Sequence, residues 1–545
     1  MGWSTPVLGY SYFGGLVNLA EILASQGWAV ICPQVGPVSS NWERACEIYA
    51  QLSHGSMDGT TYDIVVDYGI ALPGTNVFYS YPPPFRRQAT CYNLDPNWRW
   101  GPDSPVHFIA HSQGGNTCRY LIHVLERGWS AEGSGYFKEP KKKWVKSLTT
   151  LATPHNGSSV IKVLEDLGQA EDILLDKIIS ASSFLHPISR TFDFCLDHRG
   201  ISPPTEPGME LLTYVARLEA PDGALTKWRA STYTGFYDNS IVGVIGDLNR
   251  IIGPPSPNVY YFTLSFAATL PLPKLSLELD DMFSLPHTLE SVVGSLQTAL
   301  SEWKKKIDIF PSGNFVGGLK GRLFSSPSSS PTIPTSTSTP PFPLTPNPTP
   351  LSPVDNSTAS PNTLNLALTM LKQIFGESLQ DIATWATSRI NKRLPPSTPH
   401  LPVVGSTVPR VDLFPGFLIV AYPMGSFELS AVEKELIESV GGTTKNEDWR
   451  KHDGIVPTCS MSGPWGAGNR VVKVDDVIRG VVGGEVETIG KKGEKALKGC
   501  WVDLGKCEWM DHADCIGTCF NPATVKEVVG LYVRISKLLE VLPVD

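Results

Sequence analysis

The 545-residue sequence contains no uninterrupted apolar run of about 18 residues, the length a membrane-spanning helix needs. It has no long basic block either. Its densest like-charge cluster is Lys141, Lys142 and Lys143, which reads as a solvated loop, and the formal net charge is −8. Phosphate neutralisation requires a basic surface, so the chain is not expected to bind nucleic acid. No Cys-x-x-Cys pair occurs among the ten cysteines, which argues against a thiolate zinc site. The first residues, MGWSTPVLGYSYFGG, lack the basic segment and compact apolar core of a secretory signal. Pro6 stands where a myristoylation signal requires Ser or Thr.

What the chain does have is apolar substance: 41% of its residues are hydrophobic, enough for a large core and more than one unit. Cys500 with Cys507, and Cys515 with Cys519, are close enough in sequence to pair, whereas Cys32, Cys46 and Cys118 read as buried thiols. Across 1–270, short apolar strands (30–32, 106–110, 147–152) alternate with helical patterns (16–26, 116–127). That alternation predicts an α/β fold with a mostly parallel sheet.

After about 270 the pattern changes. The stretch SSPSSSPTIPTSTSTPPFPLTPNPTPLSP, at 325–353, is so rich in Pro, Ser and Thr that it cannot offset its own ordering entropy. We expect 271–409 to be one insertion with a disordered centre at about 321–362. Its arms, 287–307 and 363–393, carry helical periodicity. Regular structure resumes at 414–421, which reads as a strand, and the chain closes on a helix over 522–542. The expected units are therefore 1–270, the insertion 271–409, and 410–545.

The chemistry centres on VHFIAHSQGGNTCRYLIHVLE, 106–126. An apolar strand ends at Ala110-His111-Ser112-Gln113-Gly114 and a helix follows at once. A serine at such a strand–turn–helix junction is exposed and backbone-strained, with small residues two before and two after it to let strand and helix approach. The helix N-terminus also directs N–H groups at the site, which favours an oxyanion. A nucleophilic serine needs a base, and the base an orienting acid. With this type of junction the chain order is serine, acid, histidine. Asp453, in KHDGIVP, and His512, in WMDH, stand downstream in that order, each in a loop after an apolar run. His111 competes as a base, but neighbours on such a turn point apart. His155, in ATPHNG, is a nearer rival, to which we give a structural or site-lining role.

Several stretches together resemble the thermoalkalophilic bacterial triacylglycerol lipases. They are VGPVSSNWERACEIYAQL, IAHSQGG, TTLATPHNG, FDFCLDHRG, YYFTLSF, HDGIVPTCSMSGP and MDHADCIG, and they run in family order across 1–270 and 410–545. The resemblance implies an α/β-hydrolase fold with lid helices at about 158–190. It implies Ser112 as nucleophile, Asp453 as acid, His512 as base and the N–H of Gln113 as one oxyanion donor. In the family a strand ending in His-Gly-Phe precedes the region matching GWSTPVLGYSYFGG and carries the second donor. This chain starts inside that region, so we expect a form shortened at its N-terminus.

The family also carries metals, and the match to them is incomplete. Glu43 and Asp238 match the acidic positions of a structural zinc site, but no two histidines match the rest. Gly425 and Asp514 match calcium-ligand positions, while Cys519 and Phe520 replace an Asp-Pro. Calcium needs hard oxygen ligands. No cofactor is therefore expected to be required, and zinc or calcium would be held weakly.

The resulting expectation is a lipase that hydrolyses fatty-acid esters, with a lipid ester at an interface as its partner. The family setting is extracellular, and the acceptor Asn356-Ser357-Thr358 agrees with export. Two other outcomes are carried: a short-chain carboxylesterase with the same triad, and a degraded, non-catalytic relative whose Pro-rich insert recruits partners.

Overall fold

The structure is a computed structural model of the chain. It describes residues 17–58, 88–128, 137–167, 194–271, 407–410, 412–414, 417–473, 498–519 and 522–542, with a few shorter pieces between them. By internal packing the chain divides into two units, 1–274 with 399–545, and 275–398. The described residues belong to the first unit. The Pro-rich centre and both helical arms of the expected insertion lie outside them.

Five parallel strands form the central sheet: β1 (Val106–His111), β2 (Val145–Leu151), β3 (Tyr260–Phe266), β4 (Val471–Lys473) and β5 (Trp501–Cys507). Their spatial order is β4-β5-β3-β2-β1. Every residue of β2 and β3 is buried. A strand covered on both faces has no solvent side, which is why YYFTLSF reads as a nearly continuous apolar and β-branched run instead of alternating. The two faces still divide by period two. Tyr261 and Trp501 pack with Leu121, Leu125 and Tyr49 on one side. Tyr260, Phe262, Leu264 and Val502 pack with Val528, Leu531 and Ile535 on the other. The helix on the first side, α1 (Gln113–Arg127), crosses from β1 to β2; the closing helix, α2 (Pro522–Glu540), covers the second. A fold with a mostly parallel sheet between helices is thus in place.

The chain leaves the described region at Thr269–Pro271 and re-enters it at Thr407–Pro409, and these two strands pair antiparallel. The ends of the intervening 135 or so residues are therefore held side by side, so its length adds little to the closure cost of the core.

Four expectations change. The strand Val30–Cys32 forms, but it pairs antiparallel with Gln88–Tyr92 in a separate four-stranded sheet, and it is only half-buried. The first helix starts at Leu19, not 16, because the Asn18 side chain accepts from the N–H groups of Ala20 and Glu21 and so caps it. The run at 414–421 is not a strand. The Phe414 N–H, just past a bend, donates to Asp511 Oδ2 at 2.6 Å, and Leu418–Met424 is helical. Such short apolar runs do not distinguish strand from helix by periodicity. Finally, all ten cysteines are free thiols. Cys500 and Cys507 sit at the two ends of β5, about 20 Å apart in extended chain, far beyond disulfide reach. Cys515 instead donates its thiol to the His512 carbonyl.

Candidate active site

At the C-terminal end of β1 the backbone turns sharply. Ser112 sits at φ 55°, ψ −132°, a conformation that L residues seldom adopt. It is held there from both sides. Its N–H donates to the Leu151 carbonyl at the end of β2, and its own carbonyl accepts from Gly115 N–H. Helix α1 begins at Gln113, so the Gln113 N–H has no carbonyl of its own helix to meet and faces the serine end of the turn. The Gln113 side chain is fixed by Arg44 and the Ser39 carbonyl.

The spatial constraint on this turn is shifted by one residue from the expectation. A Cβ on Gly114 would meet only the Ala110 Cβ, at an ordinary 3.9 Å. A Cβ on Gly115 would lie 2.1 Å from Thr153 Oγ1 and 2.6 Å from its methyl. Gly115 is thus the residue that lets α1 close against the loop after β2. Gly115→Ala should cost about 1–3 kcal/mol or more through overpacking, while Gly114→Ala should stay within about 1 kcal/mol because Ala favours helix. Urea unfolding of the two variants checks this; equal losses would refute the placement.

Two loops bring the other two residues. His512 Nε2 stands 2.9 Å from Ser112 Oγ, and His512 Nδ1 stands 2.7 Å from Asp453 Oδ2. Asp453 is fully buried and His512 nearly so. The second carboxylate oxygen, Asp453 Oδ1, accepts from the backbone N–H of Ile455 at 3.0 Å and Val456 at 2.8 Å. His512 N–H donates to the Asp453 carbonyl, so the two loops are also tied through the backbone. A carboxylate against Nδ1 fixes the tautomer: Nδ1 carries the proton and Nε2 accepts from the serine hydroxyl. That is the arrangement a serine needs to become a nucleophile.

The ring of His512 is flanked by His111, centroids 4.4 Å apart, and by the edge of Phe417 at 6.1 Å. Adjacent residues on the turn were expected to diverge, yet His111 meets His512 because His512 comes over the turn and touches both neighbours. Burial, and then the proximity of His512, hold His111 well below the ordinary histidine range. It is therefore neutral beside the His512 ring. His111 was visible in the sequence only as a neighbour of Ser112, and Phe417 carried no signal. His155 is buried, bonded to Thr150 Oγ1 at 2.9 Å and set against the Trp501 ring, so its role is structural. Of the expected lid, Ser159–Leu167 is described, with Val160, Ile161 and Val163 buried against Met424, Phe427 and Trp449. Most of the remainder of 158–190 lies outside the described residues.

The metal positions do not fit metals. Glu43 Oε1 is taken by His198 Nε2 at 2.9 Å and Arg199 Nε at 2.6 Å, and Oε2 by the N–H and hydroxyl of Ser40. Asp238 accepts from Asn41 N–H, and burial lifts its carboxyl to about 7. A guanidinium occupies the neighbourhood in which zinc would have to sit. Gly425 O already accepts from Thr407 N–H, Asp514 Oδ2 accepts from Asp511 N–H, and Cys519 is a buried thiol rather than a hard oxygen donor.

The Glu43 cluster has a pH consequence. Burial pushes its carboxyl up, but the charges and hydrogen bonds of His198, with Arg199 and Ser40, outweigh burial and bring it down to about 2. A folded pKa below the unfolded 4.5 gives stability that is present above pH 4.5 and lost as pH falls towards 2. The loss amounts to about 3 kcal/mol, since one unit corresponds to about 1.4 kcal/mol. Urea unfolding at pH 5 and pH 2.5 should show this acid-side loss in the parent and a smaller one in Glu43→Gln; parallel losses would refute it.

Comparison with known proteins gives the family and the fold. Residues 2–312, more than half of the chain, match the family described as "Lipase-like, C-terminal domain". A lipase from Staphylococcus hyicus is 33% identical over 276 residues, which cover 48% of this chain and 38% of that protein. Lipase 1 of Staphylococcus aureus (strain MRSA252) is 28% identical over 273 residues, again 48% of this chain and 36% of the relative. The matches thus span little more than a third of those relatives. Among solved structures, Staphylococcus hyicus lipase superposes with a TM-score of 0.54 at 20% identity, covering 97% of this chain and 90% of that one. EstA from Clostridium botulinum gives 0.54 at 20% identity, covering 99% and 85%. At these identities the structures speak for the fold alone.

Proposed function

Since this chain belongs to the lipase-like, C-terminal domain family, we propose that it is a serine carboxylic ester hydrolase acting on fatty-acid esters, triacylglycerols among them. The observation that carries the proposal is the unbroken series Ser112 Oγ, His512 Nε2, His512 Nδ1, Asp453 Oδ2, with links of 2.9 and 2.7 Å, on a strained turn at a helix N-terminus.

In the proposed reaction His512 Nε2 takes the Ser112 proton as Oγ forms a bond to the ester carbonyl carbon. The carbonyl electrons move onto oxygen, and the Gln113 N–H donates to that oxyanion. Collapse breaks the bond to the alcohol, which leaves with the proton from His512, and an acyl-Ser112 ester remains. Water then gives a proton to the same nitrogen, attacks the acyl carbon and releases the acid, restoring Ser112. Asp453 keeps Nδ1 protonated throughout and stabilises the imidazolium. Neutral His111 adds no repulsion to that cation.

A p-nitrophenyl alkylphosphonate tests the proposal. The full-length protein should release one equivalent of p-nitrophenolate and gain the phosphonyl mass on the peptide containing Ser112. Absence of both would sink it. A panel of p-nitrophenyl esters from four to sixteen acyl carbons, followed by emulsified triacylglycerol, separates a lipase from a short-chain esterase.

A further inference from the structure

A cavity of about 310 Å³ opens at the other end of the sheet from Ser112. Its walls come from the C-terminal half of α1, the Pro-rich turn that leads into β3, and the first residue of β5. Along α1 it begins about 10 Å from the nucleophile. Its size falls at the lower end of what small-molecule sites occupy, roughly 300–1,000 Å³.

Its charge is unbalanced. Arg119 is 3% exposed, and its guanidinium donates to Asn116 Oδ1 at 2.9 Å and Asn249 Oδ1 at 2.7 Å. Among the described residues no carboxylate pairs with it. Burial lowers its pKa only to about 9, so it stays charged at neutral pH. Arg127 and Lys142 add two further cations at the exposed rim. The single acid in the lining, Glu126, has one oxygen on Asn258 Nδ2 and the other on Lys143 N–H. His123 has Nδ1 at 3.1 Å from the Ile252 carbonyl, and burial brings it to about 4, so it is neutral. Three cations against one carboxylate leave two positive charges in a chain whose formal net charge is −8. A buried charge without a counter-ion is costly unless something in the cavity supplies one.

Two further features define the ligand. Ile122, Ile252 and Trp501 line the cavity on its apolar side, with the Arg119 guanidinium over the Trp501 ring at 5.8 Å. Asn469 Oδ1 is buried with no hydrogen-bond partner, while its Nδ2 donates to the Trp465 carbonyl and so fixes which way the amide faces. The oxygen therefore lacks a donor. We propose that this cavity is a binding site for a short hydroxylated carboxylate, separate from the ester-cleaving centre. The carboxylate meets Arg119, the aliphatic part lies on Ile122, Ile252 and Trp501, and the hydroxyl donates to Asn469. The site does not depend on the activity of Ser112.

Calorimetric titration and thermal melting of the full-length protein with 3-hydroxyhexanoate, hexanoate and 1-hexanol test the assignment. The hydroxy acid should bind saturably and raise the melting temperature, hexanoate should bind more weakly, and the alcohol should do neither. Arg127→Gln with Lys142→Gln, both exposed, should weaken the acid by about fivefold. Arg119→Gln, where circular dichroism shows it folded, should weaken it by about 10- to 100-fold. Asn469→Ala should reduce the hydroxy acid to the level of hexanoate. Ser112→Ala should leave all three titrations unchanged, which separates this site from the proposed reaction. Equal binding of acid and alcohol, or a rim double variant with unaltered affinity, would overturn the assignment.

Discussion

Ser112→Gly should lower kcat/KM on a p-nitrophenyl ester by about 10⁶-fold while making the protein more stable. The activity loss follows from removing the oxygen that His512 Nε2 reaches at 2.9 Å. The stability gain follows from the backbone. A serine at φ 55°, ψ −132° stores about 1–3 kcal/mol, which glycine releases, whereas the added freedom of glycine in the unfolded chain costs about 0.5–1 kcal/mol. The first term is larger, so a net gain of up to about 2 kcal/mol is expected. Ser112→Ala should lose the same activity without that gain, because alanine keeps the strain. Chemical denaturation alongside ester hydrolysis measures both; a destabilised glycine variant would mean that the turn is not strained in solution.

Asp453→Asn should lower kcat by about 10⁴-fold with the fold retained. The size of the effect rests on where the amide must face. Asp453 Oδ1 accepts from two backbone N–H groups, Ile455 and Val456. An Asn in this place keeps its oxygen there, since turning an NH2 group to two N–H donors would leave all three unpaired. The NH2 then faces His512 Nδ1, which must become an acceptor. The imidazole proton moves to Nε2 and points at Ser112, so the base can no longer take the serine proton. Asp453→Ala removes the fixed tautomer instead of inverting it, and it also exposes two buried N–H groups. It should therefore be less stable than the Asn variant. A pH–rate profile with substantial activity remaining in Asp453→Asn would refute this account.

Much of this chemistry was legible without coordinates, because the parts that matter are local. The junction at 110–114 couples a strand, a strained serine and a helix within a few residues, and the structure places Ser112 at that turn. Asp453 and His512 were identified by order along the chain and by their loops. The structure joins them across separations of 59 and 400 residues. The fully covered strand at 145–151 was equally plain, since burial on both faces leaves its mark in every residue.

Other features depended on contacts that no local pattern encodes. Which of two adjacent glycines is indispensable was decided by Thr153, on a different loop. His111 touches His512 because another segment folds over the turn. The acid at Glu43 is bonded by His198 and Arg199, some 155 residues away, a pairing that no local pattern shows. Cys500 and Cys507, near one another in sequence, are separated by an extended strand. The sequence by itself determined the chemical groups, their order and the periodicity of the sheet, since these follow from residue type and spacing. Only the tertiary structure decided which buried charges have partners, because Coulomb energy and desolvation depend on distance in space and not along the chain.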